Sequence, residues 1–220
     1  MRATVVGNGR LQPSRALRED LRHADLVICA DGGVRNAHAL GVSPHVVIGD
    51  FDSADKRMLA WARRRGARLM TYPREKDQTD TELALEYALE SGATEVDLVG
   101  VLGGRIDHAL ANVALLIRAA GQHRRARILD GRTELFLAEG QPIPGRVGDL
   151  VSLLPLSERV EGVATQGLRY PLVNSALSLA STLGISNEIV DAPATVHVGR
   201  GWLLIVITHR PRLGRERRVR

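Results

Sequence analysis

Four short segments concentrate the residues able to do chemistry: Asp31-Gly32-Gly33, Gly49-Asp50-Phe51-Asp52-Ser53, Lys76-Asp77-Gln78-Thr79-Asp80 and Gly103-Gly104-Arg105-Ile106-Asp107-His108. Gathered carboxylates repel one another unless a cation or basic groups neutralise them, and hard oxygen donors at this density suit Mg²⁺. Asp50 and Asp52, two apart in a loop, are spaced to share one ion with Asp80 from a neighbouring loop. Lys76 and Arg105 then face the phosphates that a Mg²⁺ ion accompanies. Lys76 stands out further because only it and Lys56 are lysines in a chain rich in arginine. Taken singly, several of these residues have ordinary structural duties. Ser53 and Thr79 suit helix N-caps, Thr79 with Glu82 forms a capping box, Asp77 and Asp80 suit a helix start, and the glycines suit tight turns. It is the four loops together that point to chemistry.

Several phosphate and acyl chemistries are excluded. A Walker loop needs Gly before its Lys and Ser or Thr after it, whereas Lys56 follows Asp55 and Lys76 follows Glu75. Gly7-Asn8-Gly9 lacks the third glycine of the dinucleotide fingerprint, so it is only a weak nucleotide-approach loop. No Gly-x-Ser-x-Gly elbow is present, and His108 alone does not make a nucleophilic triad. Cys29 is the only cysteine, which excludes a disulfide framework within the chain and a zinc site of several cysteines.

The elements that must position these loops alternate. Ala3 to Val6, Leu26 to Ala30, His45 to Ile48, Arg68 to Tyr72, Val96 to Leu102 and Arg127 to Leu129 read as strands. Between them, helical patterns run from Ser14 to about His23, Val34 to Leu40, Ser53 to Arg65, Thr79 to Glu90 and Ile106 to Ala120. The last should bury a stripe of Ile106, Leu110, Val113 and Ile117. Such alternation predicts right-handed crossovers and a mostly parallel sheet flanked by helices, with ligands outside the carboxyl ends of the strands, where the four acidic loops lie. After Asp130-Gly131, strand-like runs are separated by Gly, Pro and Asn turns. The expected organisation is an α/β domain over 1–131, an all-β β-sandwich domain over 132–209 and a basic tail over 210–220.

The charge balance bears on partners. The chain has 220 residues and a net charge of +5, but Arg210 to Arg220 carries six arginines against one glutamate, so the remainder sums to zero. The excess is read as a solvated terminus, which makes nucleic acid an unlikely partner. No apolar run is long enough to span a bilayer, no signal-peptide hydrophobic region precedes Gly7, and the expected location is the cytoplasm.

The ordered motifs DGG at 31–33, GDFDS at 49–53, KDQTD at 76–80 and GGRIDH at 103–108 resemble those of thiamine pyrophosphokinases, also called thiamine diphosphokinases. TQGLRYPL at 165–172 and GISNE at 184–188 are similar to motifs of that family's β-domain. The resemblance implies a homodimer whose α/β domain binds ATP and Mg²⁺, whose β-sandwich helps bind thiamine, and whose active site is shared between subunits. It implies transfer of diphosphate from ATP to the thiamine hydroxyl, giving thiamine diphosphate and AMP. By motif position, Asp50, Asp52 and Asp80 hold Mg²⁺ with Asp77 close by; Lys76, Thr79 and Arg105 contact phosphates; Asp31 and Asp107 complete the acidic lining. Ser186 and Asn187 contact thiamine, Tyr170 offers an aromatic face, and Phe51 is a packing residue. Asp80 and Asp107 are candidates to accept the alcohol proton, with the base not identified. Two alternatives stand beside this: a related diphosphokinase acting on a hydroxymethylpterin, and a non-catalytic nucleotide or thiamine sensor.

Overall fold

Runs of aliphatic and β-branched residues in the first half each become a strand. In the computed structural model, which describes residues 1–11, 14–52 and 55–211, the order is β1 (Arg2–Val6), α1 (Arg15–Arg22), β2 (Leu26–Ala30), α2 (Gly33–Leu40), β3 (Val46–Gly49), α3 (Lys56–Arg64), β4 (Arg68–Thr71), α4 (Asp80–Glu90), β5 (Glu95–Val99), α5 (Ile106–Gly121) and β6 (Arg125–Asp130). Then come β7 (Thr133–Leu137), β8 (Leu150–Pro155), β9 (Arg159–Gln166), β10 (Ser175–Ser178), β11 (Asn187–Glu188), β12 (Thr195–His197) and β13 (Leu203–Thr208). Contacts divide the chain into two compact units. One holds Met1–Gly131 with Leu135–Leu137, the other Arg132–Glu134 with Ala138–Arg220.

In the N-terminal unit six parallel strands run in the order β6-β5-β1-β2-β3-β4. The central strands are apolar along their length because helices cover both faces; Val5, Val6, Ile28, Cys29, Val47, Ile48 and Leu98 are fully buried. Burying each large aliphatic side chain contributes about 1.5–3 kcal/mol. The burial that makes Cys29 a core residue also pushes its thiol pKa well above 9. Caps set the helix starts. Ser14 Oγ accepts from Leu17 N–H at 3.1 Å, and Thr79 Oγ1 accepts from Glu82 N–H at 3.2 Å.

Three local expectations are corrected. Helix α3 starts after Asp55, whose side chain accepts from Arg57 N–H at 2.8 Å; the expected cap Ser53 lies outside the described residues. β5 ends at Val99 because Gly100, at φ 64°, turns the chain. On α5, Ile106 and Leu110 are 74% and 66% exposed, and the buried positions are Asn112, Leu116 and Ala119. A helix apolar nearly all round does not single out its inner face by periodicity.

The C-terminal unit is all-β. β13 runs antiparallel to β8 from Leu203↔Pro155 to Thr208↔Leu150, and β11 adds to the other side of β8. A second antiparallel sheet has the order β10-β9-β12. Alternation places Val151 and Leu153 of β8 in the interior; in β9 a break at Gly162, φ 67°, lets both Val160 and Val163 turn inward, and β10 lies against β8 as in a sandwich. Among the described residues no helix is long and apolar enough to cross a membrane.

Candidate active site

The strand order has one reversal: β1 through β4 step outward in one direction, whereas β5 and β6 return to the other side of β1. Loops leaving β1 and β5 therefore diverge, and a crevice opens at the strands' carboxyl ends. A cleft of about 630 Å³ lies there, lined by Asn8 and Gly9 after β1, Asp31 after β2, Asp50 after β3, Arg74, Lys76, Gln78, Thr79 and Asp80 before α4, and Gly103, Gly104, Arg105, His108 and Asn112 around the start of α5.

Close backbone packing builds its floor. A Cβ on Gly33 would stand 1.9 Å from the Val6 carbonyl oxygen, so only glycine lets α2 begin against the end of β1. Asn36 then ties the first loop down, donating through Nδ2 to the carbonyls of Gly7 (2.7 Å) and Gly9 (3.0 Å). Asp31 at φ 41° and Phe51 at φ 60° adopt left-handed backbone that costs non-glycine residues about 1–3 kcal/mol each. Phe51 packs against the core of this unit, so its side chain helps hold a strained turn that carries Asp50 and Asp52.

The electrostatics separate the acidic residues. Lys76, mostly buried, donates to the Pro73 carbonyl at 3.1 Å and pairs with Asp80 Oδ1 at 3.0 Å. Burial raises the Asp80 carboxyl above its usual 3.8, the charges of Asp31 and Asp50 add to that, and Lys76 only partly offsets it. Asp31, Asp50 and Asp80 are thus brought together. Asp52 is exposed, lies 3.9 Å from Arg74 Nη1, and has its N–H on Asp50 Oδ1 at 3.0 Å. Asp77 is exposed and outside the cleft lining, as is Asp107. Arg105 grips Asp107 through Nε (3.1 Å) and Nη2 (2.5 Å), which with the His108 N–H holds that carboxyl down to about 2.

Among the described residues, no three His, Cys, Asp or Glu side chains form a ready-made metal cage. The donor set nonetheless fits Mg²⁺, which keeps several waters and is held by one or two carboxylates plus substrate phosphates. A bound cation would offset both the burial and the Asp31 and Asp50 charges that raise Asp80.

In the C-terminal unit, Tyr170 is 66% exposed, while Asn187 is buried beneath its backbone. Asn187 Oδ1 accepts from Tyr170 N–H (3.0 Å) and Glu188 N–H (2.9 Å), and Nδ2 donates to the Tyr170 carbonyl (2.8 Å). The amide is committed to shaping the Tyr170 segment. Ser186, at φ 60°, donates its N–H to Ser152 Oγ at 3.1 Å.

Sequence reasoning did not assign Arg74 or Asn112 to the cleft, gave Gln78 and His108 no role although they lie within its motifs, and read Asn8 only as part of a weak nucleotide-approach loop. Asn112 had a signal, being an amide inside an otherwise apolar helix; its Nδ2 donates to the Val101 carbonyl at 2.7 Å and ties α5 to the loop after β5. Gln78 donates to Glu86 Oε2 at 2.6 Å, and Arg118 of α5 pairs with Glu86 and, at 3.1 Å, with Glu82. That network fastens the Lys76–Asp80 loop to two helices and has no local signature.

Residues 17–129 match the family model for the thiamin pyrophosphokinase catalytic domain, and residues 141–203 match that for the thiamin pyrophosphokinase vitamin B1 binding domain. Thiamine pyrophosphokinase of Bacillus subtilis is 32% identical over 189 residues, covering 82% of this chain and 86% of that one. A crystal structure of thiamine pyrophosphokinase from B. subtilis superposes with a TM-score of 0.86 at 27% identity over 96% of this chain and all of the other. One from Geobacillus thermodenitrificans gives 0.80 at 30% identity over 96% and 99%. With both models matched in order along one chain, and similarity over nearly its full length, the chain belongs to the thiamine pyrophosphokinase family.

Proposed function

We propose that this chain transfers the terminal diphosphate of ATP to the hydroxyethyl oxygen of thiamine, giving thiamine diphosphate and AMP. The observation that carries this reading is the cleft at the sheet's switch point, where Asp31, Asp50 and Asp80 meet Lys76 and Arg105; family membership supplies the substrates' names. The alcohol oxygen attacks the β-phosphorus, the bond from that phosphorus to the oxygen bridging it to AMP breaks, and the alcohol proton passes to a carboxylate or water of the cleft.

Lys76, Thr79 and Arg105 are the proposed phosphate contacts, worth most where charge develops on the phosphate oxygens. Arg105 reaches them by exchanging Asp107 for phosphate, an exposed-for-ligand swap that a solvated pair permits. Asp50, Asp52 and Asp80 are the proposed ligands of Mg²⁺, which when bound neutralises charge on the transferring group. Asp31 adds to an acidic lining suited to cationic thiamine, and Asp77 and Asp107 stand close by, outside that lining. Tyr170 offers its ring to a thiamine heterocycle, with Ser186 and Asn187 framing it. The working form is a homodimer with each site drawn from both subunits, and the location is the cytoplasm.

AMP should form only with ATP, thiamine and Mg²⁺ all present; AMP release that ignores thiamine, or its absence from the complete mixture, overturns the reading. Co-expressing an Asp52→Asn chain with an Asn187→Ala chain should restore one working site per mixed dimer. Folded heterodimers as inactive as both parents would exclude the shared site.

A further inference from the structure

The C-terminal unit holds a charged cluster that the reaction does not use. Asp149, with a side chain 1% exposed, accepts at Oδ1 from the Arg210 N–H (2.9 Å) and at Oδ2 from the Arg146 N–H (3.2 Å), and His209 Nδ1 lies 2.9 Å from Oδ2. The other ring nitrogen, Nε2, lies 3.0 Å from Glu134 Oε1 on β7. A neutral imidazole carries one N–H, so only imidazolium donates to both carboxylates. Among the described residues, other charges nearby are Arg146 Nε, 3.7 Å from Asp149, Glu188 of β11, 3.8 Å from Arg210 and 3.4 Å from Arg169, and Arg132, whose carbonyl accepts from the His209 N–H at 2.9 Å.

This cluster sits where β11 joins β8. The Asp149 carbonyl accepts from Ile189 N–H (3.0 Å), Gly148 N–H donates to the Ile189 carbonyl (2.8 Å), and the pairs Glu188↔Leu150 and Asn187↔Val151 follow. β11 is two residues long and is held on two edges: by these bonds to β8, and on the other side by Arg169 N–H on the Glu188 carbonyl (2.9 Å) and Val190 N–H on the Gly167 carbonyl (2.9 Å), so a shift of its bed on β8 is passed directly to the segment that carries Tyr170. Asn187 in turn grips the Tyr170 backbone with both ends of its amide. We propose that His209 is a positioning residue: clamped between Asp149 and Glu134, it fixes the bed on which β11 lies and so sets where Asn187 presents Tyr170 to thiamine. The last step rests on the reading of Tyr170 as the thiamine-facing group.

The clamp has a pH window. Burial alone would lower the His209 pKa, but hydrogen bonds to Asp149 and Glu134 outweigh it and hold the ring above 6.5. Burial would raise Asp149, yet bonds from His209 and the Arg210 and Arg146 N–H groups bring it below 3.8. A raised histidine stabilises fully below 6.5 and loses that contribution as pH climbs through its raised value; a lowered aspartate contributes above 3.8 and loses it as pH falls through its lowered value. Between those limits the clamp is closed, and it opens on the alkaline side.

The test measures KM for thiamine, KM for ATP and kcat from about pH 5.5 to about pH 9, the range in which a histidine switch is read, together with amide hydrogen exchange. In the unaltered enzyme KM for thiamine should rise on the alkaline side while KM for ATP stays level. His209→Gln should raise KM for thiamine about fivefold, abolish that alkaline limb, and speed exchange at the Ile189 and Tyr170 amides. Glu134→Gln, a milder change, should move the limb about one unit toward lower pH. Unchanged exchange at both amides, or KM for ATP rising in step with that for thiamine, overturns the proposal. If His209→Gln does not fold, an unmoved limb in Glu134→Gln overturns it alone. Should exchange rise as expected while Asn187→Ala leaves KM for thiamine unaltered, the thiamine-facing reading fails and the hold of His209 on β11 stands.

Discussion

In the cleft of the N-terminal unit most charged groups keep solvent within reach: Arg74 lies 3.9 Å from exposed Asp52, Arg105 and Asp107 pair in solvent, and Asp80, though paired with Lys76 at 3.0 Å, carries a raised carboxyl beside two other acids. Around β11 in the C-terminal unit the polar atoms are spent, with Asp149 taking bonds from His209, Arg146 and Arg210, and Asn187 from Tyr170 and Glu188. The contrast matches the roles proposed for the two surfaces. Charges that are to meet a cation and phosphates must be exchangeable, because a buried group already paired gains little from a new partner. A surface that presents a ring must instead be rigid before the ligand arrives, so that ordering does not offset binding.

The sharpest way to break this comparison is to remove single charges from the cleft. Asp50→Asn, Asp52→Asn and Asp80→Asn should each lower turnover on the order of 10²-fold or more, while each variant stays folded. Near-normal rates in any two of the three, followed by AMP release, would undo the assignment. Next in size is Asn187→Ala. It strips two hydrogen bonds from the Tyr170 backbone and one from the Glu188 N–H, so thiamine affinity should drop about tenfold and stability fall by about 1–3 kcal/mol, read by calorimetry; an unaltered melting temperature would mean that this surface is not pre-built.

The smallest effect on activity is expected at a carboxylate of the N-terminal unit that behaves like those of the C-terminal one. Asp97, 3% exposed, is gripped by Arg2 (3.0 and 2.5 Å) and by Arg127 Nε (2.6 Å) from the strands on either side. Asp97→Asn should cost about 2 kcal/mol of stability, toward the lower range for a broken buried pair because both arginines reach solvent. Its kcat should stay within about twofold of the unaltered enzyme. A large loss of kcat without a loss of stability would show that commitment, not position, fails to separate structural from chemical acids here.

Local signals carried most of the architecture. Apolar runs alternating with helical periods determined the parallel sheet, Ser14 and Thr79 marked helix starts through their own side chains, and the acidic motifs fell on loops at the strand ends because that is where chain direction changes. What the sequence left open was convergence. Which loops meet is decided by the reversal between β1 and β5, and a strand order is not written in any one strand. The buried face of α5 was decided by its neighbours, since its apolar residues lie on every side, and Asn112 found Val101 only once that face was chosen. His209 is separated by 60 residues from Asp149 and by 75 from Glu134. Periodicity and caps act over a few residues, whereas such partners are joined by the register of β13 on β8 and by the His209 N–H on the Arg132 carbonyl beside Glu134, and both exist only in the folded chain.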